Sequence, residues 1–282
     1  MSGHDDFLSG DSGQITGPRL TARATAADLM LRARAALALT ERRLDRLADR
    51  ADRRSVLVLS VYRPGSRLPG TIPSLRSPRH DVRLALGATS PEPDPALVAE
   101  TALTGLDGGK FENLNRLLAA AGGSYDWLVV ADDDVDLPAR FLDRFVALCE
   151  ALDLDVAQPA QSARSHAAWR VTRRRPGVAR ITRFVEIGPV TAFSRRAAAE
   201  LLPFPELRFG WGLDNHWSAV ARQHGWTLGV IDALPVRHEW QPVAASYTHR
   251  EAIEEAREFL KGKPYVTRAE AQQTLQRIGR VP

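Results

Sequence analysis

Short runs of apolar residues recur along the chain, and most of them end at Gly, Pro or Asp. Continuous apolar runs of this length are typical of strands buried on both faces of a sheet. They predict strands at 56–61, 82–86, 127–131, 155–159, 184–193 and 226–231. Between several of these runs, apolar residues spaced three and four apart predict helices at 111–121 and after Pro138. Strands that alternate with helices indicate an α/β fold with a largely parallel sheet flanked by helices.

The first 54 residues lack such runs. Residues 1–25 are rich in Gly, Ser, Thr and Asp, which predicts a disordered tail. Residues 26–54 predict one amphipathic helix, whose apolar side chains recur at alternating steps of three and four. They are Met30, Ala33, Leu37, Thr40, Leu44, Leu47 and Ala51. This stripe leaves three interpretations open: packing on the main domain, a coiled-coil homodimer, or peripheral contact with an anionic membrane through the surrounding arginines.

The main domain is predicted at 55–248, followed by C-terminal helices over 249–282 that pack on it. The helix predictions there are 251–260 and 268–278.

Composition excludes some kinds of site and indicates where the protein is located. The single cysteine of the 282 residues excludes an intrachain disulfide and a thiolate metal cluster. With no apolar signal region at the N-terminus and no membrane-length apolar run, we expect a cytoplasmic protein.

Three consecutive aspartates, Asp132, Asp133 and Asp134, follow the strand predicted at 127–131. Ligands of open α/β sheets bind beyond the carboxyl ends of the strands, where these side chains fall. A divalent cation would relieve the repulsion among them, and oxygen ligands suit Mg²⁺ or Mn²⁺. In an extended segment, Asp132 and Asp134 point to one side and Asp133 to the other. The alternative is a solvated turn that caps the helix after Pro138.

Three further residues carry chemistry that such a site needs. Lys110 opens a helix after a glycine pair, where a lysine and backbone N–H groups can hold a diphosphate. Asp214 follows two glycines and is either a general base or a helix N-cap. His238 follows the strand at 226–231 and is either a metal ligand or a hydrogen-bonded structural residue.

An arginine-rich segment separates two of the predicted strands, and it contains no acidic residue between Gln161 and Val185. It is either a solvated face or a binding site for an anionic acceptor or membrane surface. The acceptor candidates are Trp169, Arg173, Arg174 and Arg175. No nucleic-acid-binding motif accompanies the arginines, so we expect no nucleic acid. The tryptophans, including Trp211, suit either the core or stacking on a sugar or base.

Together, the segments resemble glycosyltransferases of the GT-A fold, most of all the family 2 type. The first half carries SVLVLSVYRPG, GGKFENLN and ADDDVDLP, of which the last looks like the D-x-D segment of that family. The second half carries FVEIGPVTAFSRRA, FGWGLDNHW and GVIDALPVRHE, a series that also resembles a plant family of GT-A-like proteins. The resemblance covers about residues 55–240. It depends on the order and spacing of the motifs.

The resemblance implies a nucleotide-diphosphate sugar donor and Mn²⁺ or Mg²⁺. It implies metal ligation by Asp132, Asp134 and His238, and it implies that Asp214 is the catalytic base of an inverting transfer. The donor-binding positions are Tyr62, Arg63, Lys110, Asn115, Asp132, Asp133 and Trp211. The chain departs from the commonest family 2 pattern because Asn215, and not a second carboxylate, neighbours Asp214.

We therefore expect a metal-dependent glycosyltransferase that moves a sugar to a hydroxyl acceptor. The carboxylate would take the proton of the attacking hydroxyl, and the cation with Lys110 would stabilise the leaving diphosphate. Two alternatives remain. One is a non-catalytic protein of the same fold that binds an anionic partner through the arginine-rich segment. The other is a sugar nucleotidyltransferase, which is disfavoured because no G-x-G-x-R-type loop follows the first strand.

Overall fold

The computed structural model describes residues 5–10, 15, 17–238 and 248–282. Within these ranges, one sheet contains nine strands. The strands are β1 (Ser55–Tyr62), β2 (Asp81–Ala88), β3 (Thr101–Leu103), β4 (Trp127–Ala131), β5 (Val156–Gln161), β6 (Ala179–Thr182), β7 (Val190–Ser194), β8 (Leu228–Val236) and β9 (Thr274–Ile278). The helices are α1 (Pro18–Leu37), α2 (Thr40–Arg50), α3 (Leu68–Leu75), α4 (Lys110–Ala121), α5 (Phe141–Ala151), α6 (Arg195–Leu201), α7 (Leu213–His224), α8 (His249–Leu260) and α9 (Arg268–Ala271).

The strand order is β3-β2-β1-β4-β7-β5-β8-β6-β9. Strand β1 pairs in parallel with β2 and β4, and β5 pairs in parallel with β8. Strand β7 runs antiparallel between β4 and β5, and β6 runs antiparallel between β8 and β9. Strands β6 and β7 therefore oppose the direction of the other strands. This confirms the predicted α/β class with a mostly parallel sheet and flanking helices.

Each face of the sheet has its own hydrophobic core. Along β1, Val56 and Val58 belong to one core and Leu57 and Leu59 to the other. Helices α2, α3 and α5 cover the first face, and α4, α6, α7 and α8 cover the second. Because both faces are covered, apolar residues occupy both sides of the central strands, most fully in β4 (WLVVA), which is why the strands appear as continuous runs in the sequence.

The N-terminal region differs from its prediction. The helix begins at Pro18, and it breaks at Leu39, whose φ of 52° lies in the left-handed region. Because of this break, the buried side of α1 does not continue the buried side of α2. Met30 and Leu37 of the predicted stripe are exposed by 52% and 86%, so this stripe is not the face by which α1 packs on the protein. Buried α1 positions include Asp28, whose carboxylate accepts hydrogen bonds from the backbone N–H groups of residues 163 and 164.

Residues 5–10 are ordered, although they fall in the predicted disordered tail. Phe7 is 3% exposed and packs edge-to-face against Tyr265, with ring centroids 6.4 Å apart. Asp5 accepts two hydrogen bonds from the Arg257 guanidinium, at 2.8 and 2.7 Å. An apolar anchor and a charged anchor therefore fix a segment whose polar composition predicts disorder.

Two further predictions are wrong in detail. Residues 274–278 form β9 on the edge strand β6, where 268–278 predicted a helix, because pairing with an open sheet edge outweighs local helical spacing. The run at 184–193 is not one strand; β7 begins at Val190, after Pro189. The preceding loop is instead held by contacts outside the sheet, because the Ile187 carbonyl accepts from Lys110 and the Ile187 N–H donates to Asp214. No helix of the described residues is long and apolar enough to cross a membrane.

A buried ion pair ties the arginine-rich segment to the sheet. Arg180 of β6 donates to both carboxylate oxygens of Asp232 in β8, and the two side chains are 3% and 0% exposed. Burial raises the pKa of Asp232, although the hydrogen bond from Arg180 opposes that rise. Arg180 also donates to the backbone carbonyls of Val171 and Arg173. This arginine is therefore part of the structural framework and not of a solvated face.

We expect Arg180→Met to destabilise the fold by about 3–5 kcal/mol, because it leaves the Asp232 carboxylate buried without its partner. Chemical denaturation monitored by circular dichroism measures the change. The matched control is Arg195→Met, which removes an arginine that is 60% exposed from its pair with Asp126 and should cost about 0–1 kcal/mol. Equal losses in the two variants would contradict a structural role for the Arg180 pair.

Candidate functional site

A cavity of about 700 Å³ opens at the carboxyl ends of β1, β4, β5 and β8. Arg63 and Asp132 reach it from the ends of β1 and β4, and Gln161 and His238 reach it from the other two strands. The wall also includes residues 186–189, the first turns of α4 and α7, and the N-terminal residues 7–10. The cavity therefore lies at the edge where open α/β sheets bind their ligands.

Asp132, Asp134 and His238 form a cluster in this wall. Each offers one ligand atom, and these atoms all lie within 4.8 Å of one another. Asp134 Oδ1 and His238 Nε2 are 3.0 Å apart. Burial acts against both charged forms, yet their mutual hydrogen bond lowers the pKa of Asp134 and raises the pKa of His238. Two carboxylates and one imidazole are a donor set that suits Mn²⁺ or Mg²⁺, so the residues fit the predicted cation.

Asp133 points away from this cluster and fixes the end of β1. Its Oδ2 accepts hydrogen bonds from the Arg63 backbone N–H at 3.0 Å and from Arg63 Nε at 3.1 Å. Its Oδ1 accepts a third from Arg63 Nη2 at 2.6 Å. Both residues line the cavity, where the Arg63 side chain is partly exposed and the Asp133 side chain is buried. Asp133 therefore orients Arg63, which leaves Asp132 and Asp134 for the cluster.

Lys110 places a positive charge beside the cluster. Its Nζ lies 2.5 Å from Asp132 Oδ1 and 3.3 Å from the Ile187 carbonyl oxygen, to which it donates. The preceding residue, Gly109, packs so tightly against the backbone of Arg208 that a Cβ would collide with it. The Gly109 N–H donates to the Glu112 carboxylate at 2.6 Å. Helix α4 thus supplies the lysine. The Gly109 N–H, however, is bonded inside the protein, whereas the sequence predicted free N–H groups for a diphosphate at this helix start.

Residues 187–189 run between the lysine, the aspartates and α7. The Ile187 N–H donates to the Asp214 carboxylate, and the Ile187 carbonyl accepts from Lys110. The Pro189 carbonyl accepts from the Asp132 N–H at 2.8 Å. A Cβ on Gly188 would lie 2.9 Å from Asp132 Oδ2 and 3.4 Å from Lys110 Nζ. A side chain at this position would therefore displace the Asp132 carboxylate from its present place beside Lys110.

Asp214 faces the same cavity from the first turn of α7. The N-cap of that helix is Gly212, so the interpretation of Asp214 as an N-cap is wrong. Burial raises the pKa of Asp214 to about 7, and hydrogen bonds from backbone N–H groups, including that of Asn215, limit the rise. The neighbouring Asn215 has a structural role, because its side chain donates to the Val266 carbonyl at 2.8 Å. A buried carboxylate of this kind suits a general base at neutral pH.

Glu186 is a carboxylate of the cavity wall that the sequence reading missed. Its Oε2 accepts hydrogen bonds from Gln161 Nε2 at 2.8 Å and from Thr172 Oγ1 at 2.9 Å. Burial, and then the charge of Asp214, raise the pKa of Glu186 to about 8. One signal was present in the sequence, since this glutamate interrupts the apolar run FVEIGPV. A charge inside an apparent strand indicates a buried polar function.

Two amide oxygens of the wall have no hydrogen-bond partner among the described residues. They are Asn113 Oδ1 and Gln161 Oε1, on side chains whose residues are 2% and 1% exposed. Buried polar atoms are nearly always paired in folded proteins, so unpaired acceptors around a cavity suit a ligand with hydroxyl or N–H donors.

Only some of the residues predicted to bind the sugar donor or the acceptor substrate line the cavity. Trp169 and Trp211 line the cavity, Trp169 also packing on Phe184 with ring centroids 4.4 Å apart. Tyr62 is instead hydrogen-bonded inside the fold to Thr101. Asn115 is held by two hydrogen bonds with the backbone of Phe204. Neither of these two is among the described residues that line the cavity.

The three consecutive arginines predicted for the acceptor also lie outside the described wall. Arg173 donates to the backbone carbonyls of residues 163, 165 and 167. Burial lowers the pKa of Arg174, and the backbone N–H of Arg175 donates to Asp232. The Arg173 side chain is thus used in internal contacts, whereas Arg175 is exposed and uses only its backbone N–H. An acceptor role for these arginines stays a prediction.

No family model matches the sequence, and no curated protein matches it. Among solved structures, S. aureus TarS 1-349 in complex with UDP-GlcNAc gives a TM-score of 0.49 at 15% identity, covering 72% of this chain and 64% of that chain. GalNAc-T7 with UDP, GalNAc and Mn²⁺ gives 0.46 at 14% identity, covering 67% of this chain and 45% of that one. A mycobacterial protein gives 0.47 at 16% identity, covering 71% and 72%. The chain spans less than two thirds of TarS 1-349 and of GalNAc-T7, and at these TM-scores the likenesses assign no function to it.

The raised pKa of Glu186 predicts a pH-dependent effect of Glu186→Gln on stability. Between its ordinary pKa of 4.5 and about 8, the unfolded state loses the Glu186 proton while the folded state keeps it, so wild-type stability falls as pH rises. Glutamine keeps an acceptor for Gln161 and Thr172 but cannot ionise. The stability advantage of the variant over wild type should therefore grow from pH 5 to pH 8, by at most about 1.4 kcal/mol per pH unit.

Thermal unfolding of the two proteins across this pH range measures the difference. A difference that stays constant from pH 5 to pH 8 would contradict the assignment of a raised pKa to Glu186.

Proposed function

We propose that the chain is a metal-dependent glycosyltransferase that uses a nucleotide-diphosphate sugar and a hydroxyl acceptor. One observation carries the proposal: a carboxylate–imidazole cluster with a lysine beside it shares a single cavity with a buried carboxylate of near-neutral pKa. Glycosyl transfer needs positive charge at the leaving diphosphate and a base at the attacking hydroxyl. The motif order along the sequence supports the same proposal independently of the side-chain geometry.

The donor half of the reaction belongs to Asp132, Asp134, His238 and Lys110. The first three would hold Mn²⁺ or Mg²⁺, which when bound supplies electrostatic stabilisation to the negative charge of the departing nucleoside diphosphate. Lys110 adds a fixed positive charge next to Asp132, and the hydrogen bond to the Ile187 carbonyl orients its ammonium group. Arg63, held by Asp133, lies at the end of β1 on the same side of the cavity and is the candidate contact for the nucleotide.

The acceptor half belongs to Asp214. Its carboxylate takes the proton of the acceptor hydroxyl while the hydroxyl oxygen forms a bond to the anomeric carbon of the donor sugar. The bond from that carbon to the diphosphate oxygen breaks on the opposite face, which gives inversion. The Ile187 and Asn215 N–H groups orient the carboxylate. Trp169 and Trp211 supply apolar wall on which sugar rings can pack.

The proposal is tested by incubating the protein with a panel of nucleotide sugars and Mn²⁺. The measured quantity is the rate of donor hydrolysis or of sugar transfer. Because Asp214 acts in its ionised form, the rate should rise with pH through about 7 and fall below it. In Asp214→Asn we expect kcat to fall by about 10²–10⁴ and that pH dependence to disappear, while nucleotide affinity stays within a few fold.

The matched control is Asp107→Asn, an aspartate side chain that is 90% exposed and is expected to leave kcat unchanged. Near-normal turnover in Asp214→Asn would remove this residue as the base. Release of pyrophosphate from a nucleoside triphosphate, without sugar transfer, would instead identify a nucleotidyltransferase.

A further inference from the structure

Helix α1 has an apolar face that the described part of the structure leaves exposed. Leu29, Met30 and Leu37 are exposed by 59%, 52% and 86%. Their spacing of one, seven and eight residues places them on one side of a helix. Ala22, Ala26 and Ala33 are exposed on the same side. The opposite side, with Ala24 and Leu31, packs on the protein.

The charges of α1 are almost entirely positive. Its arginines are all exposed: Arg19, Arg23, Arg32 and Arg34. Its single acidic residue, Asp28, is 9% exposed and is used inside the protein, where its carboxylate accepts the backbone N–H groups of residues 163 and 164. The exposed surface of α1 therefore combines leucine and methionine side chains with arginines and presents no carboxylate.

The turn between α1 and α2 extends this surface. Leu37 and Leu39 are exposed by 86% and 46% on either side of the left-handed residue that breaks the helix. In α2, Glu41, Arg42 and Arg43 follow after Thr40 and are all exposed, so the charge beside the turn is net positive. The turn is thus an apolar tip next to further arginines.

Charge complementarity distinguishes the candidate occupants of this surface. A second copy of the chain, docked face to face, would bring arginines against arginines with no α1 carboxylate to pair them. A nucleic acid would use the arginines but leave the leucines in water. An anionic bilayer satisfies both groups, because arginines meet the headgroups while leucine and methionine side chains enter the acyl boundary. We propose that α1 and the turn after it bind the surface of an anionic lipid bilayer.

This binding is independent of the proposed sugar transfer and is tested without any donor. The full-length protein is sedimented with phosphatidylcholine vesicles, with and without phosphatidylglycerol as about a third of the lipid. We expect binding to the anionic vesicles only, weakening as salt rises. The variant Leu29→Ser/Met30→Ser/Leu37→Ser should bind at least about tenfold more weakly, since it keeps every arginine but loses the apolar contacts.

The matched control is Val98→Ser, which changes a residue that is 57% exposed outside α1 and should bind as wild type does. All substituted side chains are exposed, so unchanged thermal midpoints should show that each variant is folded. A direct readout uses Met30→Cys carrying an environment-sensitive fluorophore, because the natural cysteine, Cys149, is buried. Its emission should shift to the blue on anionic vesicles.

Three results would overturn the proposal. The first is absence of binding to anionic vesicles. The second is equal binding by wild type and the triple serine variant, which would assign binding to charge elsewhere. The third is a wild-type dimer in sedimentation velocity without lipid, together with a monomeric triple serine variant. That result would assign the exposed face of α1 to contact with a second copy.

Discussion

The candidate site depends on the close approach of residues 187–189 to three other parts of the chain. Backbone groups of this short loop hydrogen-bond to Lys110, Asp132 and Asp214. Those residues come from α4, from the end of β4 and from α7, which are far apart in sequence. Gly188 permits the approach, since any side chain there would press on the Lys110–Asp132 pair. The loop thus connects the Asp132–Asp134–His238 cluster and Lys110 with the Asp214 carboxylate.

The fold places acidic groups in the cavity at a cost in stability that local contacts only partly offset. Burial raises the pKa of Asp214 to about 7 and that of Glu186 to about 8. Hydrogen bonds from Ile187 to Asp214 and from Thr172 to Glu186 limit these rises without abolishing them. Burial that moves the pKa of a carboxylate towards neutral pH is typical of functional sites.

The sheet and its two helical layers could be predicted from the sequence because continuous apolar runs leave few alternatives to buried strands. The acidic turn and the histidine could be placed near the carboxyl ends of strands because each follows such a run. The role of Asp214 was an implication of the family resemblance. Other features depend on contacts that no local pattern shows. Asn115 pairs with the distant backbone of Phe204, and Arg173 donates to carbonyls of its own loop. In the N-terminal region, the helix breaks at Leu39. Residues of the predicted apolar stripe are therefore buried in α2 but exposed in α1.

The central claim is that Asp132, Asp134 and His238 form a cation site that a nucleoside diphosphate shares. Calorimetric titration of nucleoside diphosphates with Mn²⁺, with Mg²⁺ and with a chelator tests this claim most directly. We expect one nucleotide to bind in the presence of the cation, and to lose at least about tenfold in affinity with chelator or in Asp134→Asn, while Asp107→Asn binds normally. Binding that is unaffected by chelator and by Asp134→Asn, or no binding by any nucleotide, would contradict the account.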